Sequence, residues 1–241
     1  MSLERRDFLG LGVAAFAGAA ITPGLRLIEL VQARSPEEAA STLARWGLLI
    51  DTTRCTDCTV CVTACHAENG VIGHDRPPTD AQWIRKVSLR DKRTGRVETL
   101  PLMCQHCEHP PCVDVCPTGA SFKRADGIVL VDKHSCIGCR YCVLACPYGA
   151  RSFIHETVTG QKPDVPRGKG TVESCTLCVH RIDRDEKPAC VEACTRDGGK
   201  AMVFGDLNDS AGELQQRLRR EPSSQLRADL ALNTGVRYQG L

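Results

Sequence analysis

Apolar positions along this chain fall in short runs, and few of them hold a helical period for long. Leu9–Ile21 is modestly apolar but rich in Gly and Ala, and Pro23-Gly24 cuts it off. It is shorter than the roughly 20 apolar residues a membrane span needs. Ser35–Ala44 predicts a short helix: Ser35 can cap it, Pro36 suits its first turn, and Glu37-Glu38 favour its positive end. Trp46–Asp51 predicts a strand. Trp83–Arg90 and Arg96–Met103, either side of Lys92-Arg93-Thr94-Gly95, predict a β-hairpin that covers the interior or meets a partner. Gly127–Asp132 and Lys200–Gly205 predict two more strands, and Ala211–Arg220 a short polar helix. Residues 151–174, rich in Gly, Pro and Lys, predict an ordered spacer. Glu221–Leu241 holds too few apolar residues to fold alone. It is expected to strap across the surface of this chain or a neighbour, and no run in it could span a membrane.

Composition shows why these runs are insufficient by themselves. The 241 residues suit one or two domains, but only 4% are aromatic, so there is little large apolar area to bury. The net charge of +2 gives no pull toward nucleic acid. The chain instead has 16 cysteines, and they divide into four runs with none left over. Cys136-x2-Cys139-x2-Cys142-x3-Cys146-Pro147 is the spacing that holds clusters in bacterial two-cluster ferredoxins, where the fourth cysteine ligates the neighbouring cluster. Cys55, Cys58, Cys61 and Cys65 repeat it, with His66 in place of the proline. Cys104, Cys107, Cys112 and Cys116-Pro117 widen the second gap to Glu108-His109-Pro110-Pro111, stiffened by its two prolines. Cys175, Cys178, Cys190 and Cys194 carry an eleven-residue gap.

Four ligands per cubane imply four [4Fe–4S] clusters, with iron held by all sixteen Cys. Disulfides need no quartets, and cysteines two residues apart rarely bridge outside redox motifs. A structural zinc protein would use paired C-x2-C knuckles, with no reason for a third and fourth cysteine at these offsets. No C-x-x-C-H haem site, Gly-rich nucleotide fingerprint or G-x-S-x-G elbow is present. With every cluster iron held by Cys, none is left for substrate, which argues for electron transfer and against an enzyme. Arg140, Arg181 and Arg184 lie inside cysteine runs and could raise nearby potentials; solvated surface arginines are the plainer reading.

The N-terminus reads as an address. Arg5-Arg6 ahead of Leu9–Ile21, with Val31-Gln32-Ala33 as a small-residue cleavage site, predicts a twin-arginine signal over 1–33. Its substrates are exported already folded around their cofactors, which reconciles export with reduced cysteines. The expected location is periplasmic, peripherally bound to a membrane through partners.

The four runs, with Cys112-Val113-Asp114-Val115-Cys116-Pro117-Thr118-Gly119-Ala120, Pro188-Ala189-Cys190-Val191-Glu192-Ala193-Cys194 and Phe204-Gly205-Asp206-Leu207-Asn208-Asp209, resemble a known family. It is the four-cluster ferredoxin-like electron-transfer subunits of membrane-associated bacterial oxidoreductases. Members include the B subunits of dimethylsulfoxide and polysulfide reductases and the C protein of formate-dependent nitrite reduction. Within it the chain looks most like the O-subunit type of the Dsr complex of sulfur metabolism. The resemblance implies an α+β fold of tandem two-cluster units with a β-hairpin insert and an extended C-terminal tail. An outer unit would combine 34–103 with 151–210, an inner unit would span 104–150, and 211–241 would form a helix and tail. It also implies nested ligand sets: Cys55, Cys58, Cys61 and Cys194; Cys65, Cys175, Cys178 and Cys190; Cys104, Cys107, Cys112 and Cys146; Cys116, Cys136, Cys139 and Cys142. Spacing alone leaves pairing by neighbours open. The implied partners are an integral-membrane quinone- or quinol-handling subunit of the polysulfide-reductase C type and a multihaem cytochrome c or other redox subunit. Service to a molybdenum oxidoreductase or a nitrite-reduction system is the alternative.

Overall fold

The computed structural model describes residues 40–55, 57–76 and 79–241. The signal expected over 1–33 and the first half of the helix expected over Ser35–Ala44 lie outside them. Residues 40–44 are turn and coil, not helix. Here the backbone is tied to a distant loop: Asn208 Nδ2 donates to Leu43 O, and Arg45 N to Asp206 Oδ1.

Strand β1 (Trp46–Asp51) is the centre of the largest sheet. Both of its faces are covered. Leu48 and Ile50 point into the main core, and Leu49 points the other way onto Val203 and Leu214, as the two-residue period of a strand requires. One neighbour, β8 (Met202–Asp206), runs antiparallel, with Leu48 opposite Phe204. The other is β9 (Val236–Gln239), which runs parallel and sets Val236 beside Leu48 and Tyr238 beside Ile50. The tail crosses the surface over 221–232 and then leaves it. Its end enters the sheet, and Tyr238 is fully buried.

The hairpin forms from β2 (Ile84–Arg90) and β3 (Val97–Met103), paired antiparallel. Trp83, Ile84, Leu100 and Met103 at its base join the main core, while Leu89 and Val97 near its tip are exposed. The strand expected over Gly127–Asp132 shortens to β5 (Val129–Val131), paired with the three-residue β4 (Ser121–Lys123). The spacer expected over 151–174 is bounded by a two-residue ladder of β6 (Ser152–Phe153) and β7 (Val172–Glu173). Glu173 of β7 forms a buried ion pair with Arg167, whose Nη2 lies 2.6 Å from Glu173 Oε1. The cysteines themselves fill the interior: ten of the sixteen are buried. Helix α6 (Glu213–Arg220) closes the far side of the sheet through Leu214.

Candidate metal centres

Each cysteine run is a loop leading into a short helix. Helix α1 (Val60–Asn69) carries Cys61 and Cys65, and α5 (Ala189–Asp197) carries Cys190 and Cys194. Both pairs are spaced i, i+4, so each places two thiols on one helix face. The two helices pack together. Cys61 meets Cys194, and Cys65 acts on Cys190 and Cys175. Helices α2 (Pro111–Asp114) and α3 (Tyr141–Ala145) pack likewise and carry Cys112 and Cys142. The helix between, α4 (Val179–Ile182), starts directly after Cys178.

Three cavities result, each lined by four cysteines. One holds Cys55, Cys58, Cys61 and Cys194 around about 290 Å³. A second holds Cys104, Cys107, Cys112 and Cys146 around about 300 Å³. The third holds Cys116, Cys136, Cys139 and Cys142 around about 270 Å³. The remaining four, Cys65, Cys175, Cys178 and Cys190, are one another's main sulfur neighbours deep in the interior. Asn69 Nδ2 lies 3.6 Å from Cys65 Sγ and 3.9 Å from Cys178 Sγ. In every group the last cysteine of one run sits among the first three of another. Among the described residues, no three Cys, His, Asp or Glu side chains close around a point that would grip a single bare ion. The thiols ring voids instead, which fits an inorganic cube better than zinc.

Burial pushes the Cys61 thiol up to about 11 and those of Cys104 and Cys107 up to about 12; Cys65, Cys175 and Cys190 are raised as well. A metal must displace these protons, so ligation and assembly are coupled. Backbone N–H groups then supply hydrogen bonds to sulfur, at 3.3 Å from Ser121 to Cys116, Leu177 to Cys175 and Ala201 to Cys194. Val172 reaches Cys136 at 3.4 Å and Ala150 reaches Cys146 at 3.5 Å. Such donors favour the charged, metal-binding form of the thiol. Gly138 lets the third run approach the 168–171 loop: its φ is +70°, and a Cβ there would fall 2.1 Å from Gly170 O.

The arginines noted within the runs have separate fates. Arg140 stacks on the Phe153 ring at 4.0 Å. Arg181 is held by Glu68, Glu186 and Glu192, and Arg184 by Asp164 and Glu186, so carboxylates balance their charge. Two cations at the sites were not evident beforehand. Lys86 of the hairpin donates to Cys55 Sγ at 3.1 Å, and Arg151 lines the Cys104 cavity. Neither lies inside a cysteine run, so only the fold brings them there.

Cysteine quartets exchanged between paired short helices, within a mixed helix-and-strand scaffold, define a tandem ferredoxin-like protein. Two families, each described as a 4Fe-4S dicluster domain, match residues 54–120 and 95–207. The chain is 44% identical to the Hdr-like menaquinol oxidoreductase iron-sulfur subunit 1 of Archaeoglobus fulgidus, over 99% of this chain and 98% of that one. It is 37% identical to the tetrathionate reductase B subunit of Salmonella typhimurium (100% and 90%), and 36% identical to protein NrfC of Escherichia coli (97% and 93%). The chain belongs to the family of four-cluster [4Fe–4S] electron-transfer subunits of oxidoreductase complexes, and it is not their catalytic component.

Proposed function

We propose that this protein carries electrons between a membrane quinone- or quinol-handling subunit and a second redox partner. The partner readings are a polysulfide-reductase C type membrane subunit and a multihaem cytochrome c or comparable carrier. The setting is a periplasmic respiratory or sulfur-metabolism complex of the Dsr type, reached through the twin-arginine signal at Arg5-Arg6. The near full-length likeness to a menaquinol oxidoreductase subunit carries this reading, and the likeness to a tetrathionate reductase subunit supports the sulfur setting. Among the described residues no helix is long and apolar enough to cross a membrane, so attachment would come through partners.

The ligand sets we assign are Cys55, Cys58, Cys61 and Cys194; Cys65, Cys175, Cys178 and Cys190; Cys104, Cys107, Cys112 and Cys146; and Cys116, Cys136, Cys139 and Cys142. We assign the outer unit to 34–103 with 151–210 and the inner unit to 104–150. When bound, a cubane supplies one-electron redox chemistry. The chain's residues do the rest. Sixteen thiolates would hold the metal and leave no open iron, N–H donors would fix the sulfurs, and buried apolar side chains shield the deeper sites from water. The last-named quartet is the contact point for a partner: Cys139 is exposed, and Ile137, Tyr141 and Leu144 stand out around it.

Mild detergent extraction of the native membrane under anaerobic conditions tests the reading. The protein should co-purify with an integral-membrane subunit, and a menaquinol analogue should bring its clusters into redox equilibrium. Recovery of the chain alone in the soluble fraction, inert to quinol, would reject it. Separately, replacing Arg5-Arg6 with Lys-Lys should leave the chain in the cytoplasm.

A further inference from the structure

Arg151 follows the third cysteine run and immediately precedes β6. It is 4% exposed. Its Nε and both Nη atoms find no nitrogen or oxygen partner among the described residues. A guanidinium buried without a carboxylate is unfavourable unless something else carries the opposing charge. What faces it is sulfur, from two quartets at once. Cys104 and Cys112 belong to one cavity and Cys142 to the other. Arg151 lines the Cys104, Cys107, Cys112 and Cys146 cavity, and its side chain reaches Cys142 of the other.

We propose that Arg151 is a shared counter-cation of the two inner sites, raising the reduction potential of both and easing their simultaneous reduction. This rests on the ligand sets assigned above. The guanidinium stays protonated at any working pH and offers five N–H donors in a rigid fork, enough to serve sulfur on two sides. Each inner site gains one negative charge when it accepts one electron from the donor, and no proton leaves Arg151. A fixed positive charge in a weakly screening interior favours that added charge. Placed between the sites, it also weakens the repulsion between two electrons held side by side. Arg151 touches no substrate; it is a positioning and tuning residue.

The test is an anaerobic redox titration of the full, cluster-loaded chain, followed by EPR, for the wild type, Arg151→Gln and Arg151→Lys. Cys107→Ser and Cys139→Ser, each expected to alter a different signal, identify the two inner sites. Arg151→Gln should lower both inner potentials by at least about tenfold in the reduction equilibrium, about 59 mV for a one-electron couple. The other two potentials should stay put, and Arg151→Lys should recover most of the drop. If only one inner potential moves, if neither moves, or if all four move together, the proposal is overturned. If the Gln variant fails to retain iron, the Lys variant decides. Preserved charge must then preserve all four potentials within that tenfold window, and a two-site drop overturns the idea. Should Cys107→Ser and Cys139→Ser alter the same signal, the ligand sets are wrong, which is a different failure from that of Arg151.

Discussion

Two cysteine quartets in this protein are chemically identical and physically opposite. Cys65, Cys175, Cys178 and Cys190 are all buried, with Cys65 on α1 and Cys190 on α5. Of Cys116, Cys136, Cys139 and Cys142, only Cys142 is buried and Cys139 is exposed. The sulfur donors do not distinguish them; surroundings do. Solvent exposure and local charge are among the levers that set cluster potentials. The first quartet stands where other proteins place a hydrophobic core, and the second stands where a partner can come near. One fold thus sets four cysteines in the interior at one place and a quartet reaching the surface at another, and the proposed exchange role belongs to the second.

The largest break in that comparison comes from removing one ligand at each place. Cys190→Ala should cost the deep site its iron and its packing together. The loss should be on the scale of a structural metal, about 10 kcal/mol or more, and leave no cooperative melt at 37 °C. Cys139→Ala should lower iron from about sixteen to about twelve per chain while thermal unfolding of the remainder stays cooperative. Iron and sulfide analysis with calorimetry reads both. Equal damage from the two substitutions would erase the distinction.

A second test uses two tyrosines in the same contrast. Tyr238 is fully buried on β9, where its Oη donates to Pro101 O at 3.1 Å and accepts from Gln105 Nε2 at 3.2 Å. Tyr238→Ala should destabilise the chain by about 3–5 kcal/mol, through lost burial and orphaned partners. Tyr141, 58% exposed beside the outward-facing quartet, should change stability by no more than about 0.5 kcal/mol when replaced by Ala. Denaturant titrations of the two variants against the wild type measure the difference.

Tyr238 also shows where sequence reading stops. β1, the hairpin and β8 were legible because each has five to seven residues with apolar positions at strand spacing. β9 has four, and only Val236 and Tyr238 point inward at β1, nearly two hundred residues away in the chain. Parallel pairing over that separation leaves no local trace. β4, β6 and β7 have three residues or fewer, below any detectable period. At the sites, cysteine identity and the four runs were plain, since spacing is written directly in the sequence. Lys86, Arg151 and the N–H donors to sulfur were not. They come from a hairpin, a strand edge and backbone amides, none of which carries a residue signature.

The smallest expected change in the isolated chain should be the most informative about its partner. Ile137, Tyr141 and Leu144 are 68%, 58% and 84% exposed, and all flank the outward-facing quartet. Large apolar side chains grouped around one functional group are more telling than the same residues scattered, because scattered exposure is ordinary. Val97 at the hairpin tip, 52% exposed and away from any cysteine cavity, is the scattered case and serves as the control. Leu144→Ser and Val97→Ser should each leave iron content unchanged and shift unfolding by less than about 0.5 kcal/mol. Only Leu144→Ser should weaken association with the redox partner, by at least about tenfold in Kd, the scale of losing one well-packed interface side chain. Electron-transfer rates measured against partner concentration separate affinity from intrinsic rate. A Leu144 variant that transfers electrons as well as the wild type at every concentration would move the contact surface elsewhere and leave the exposed cysteine without its assigned role.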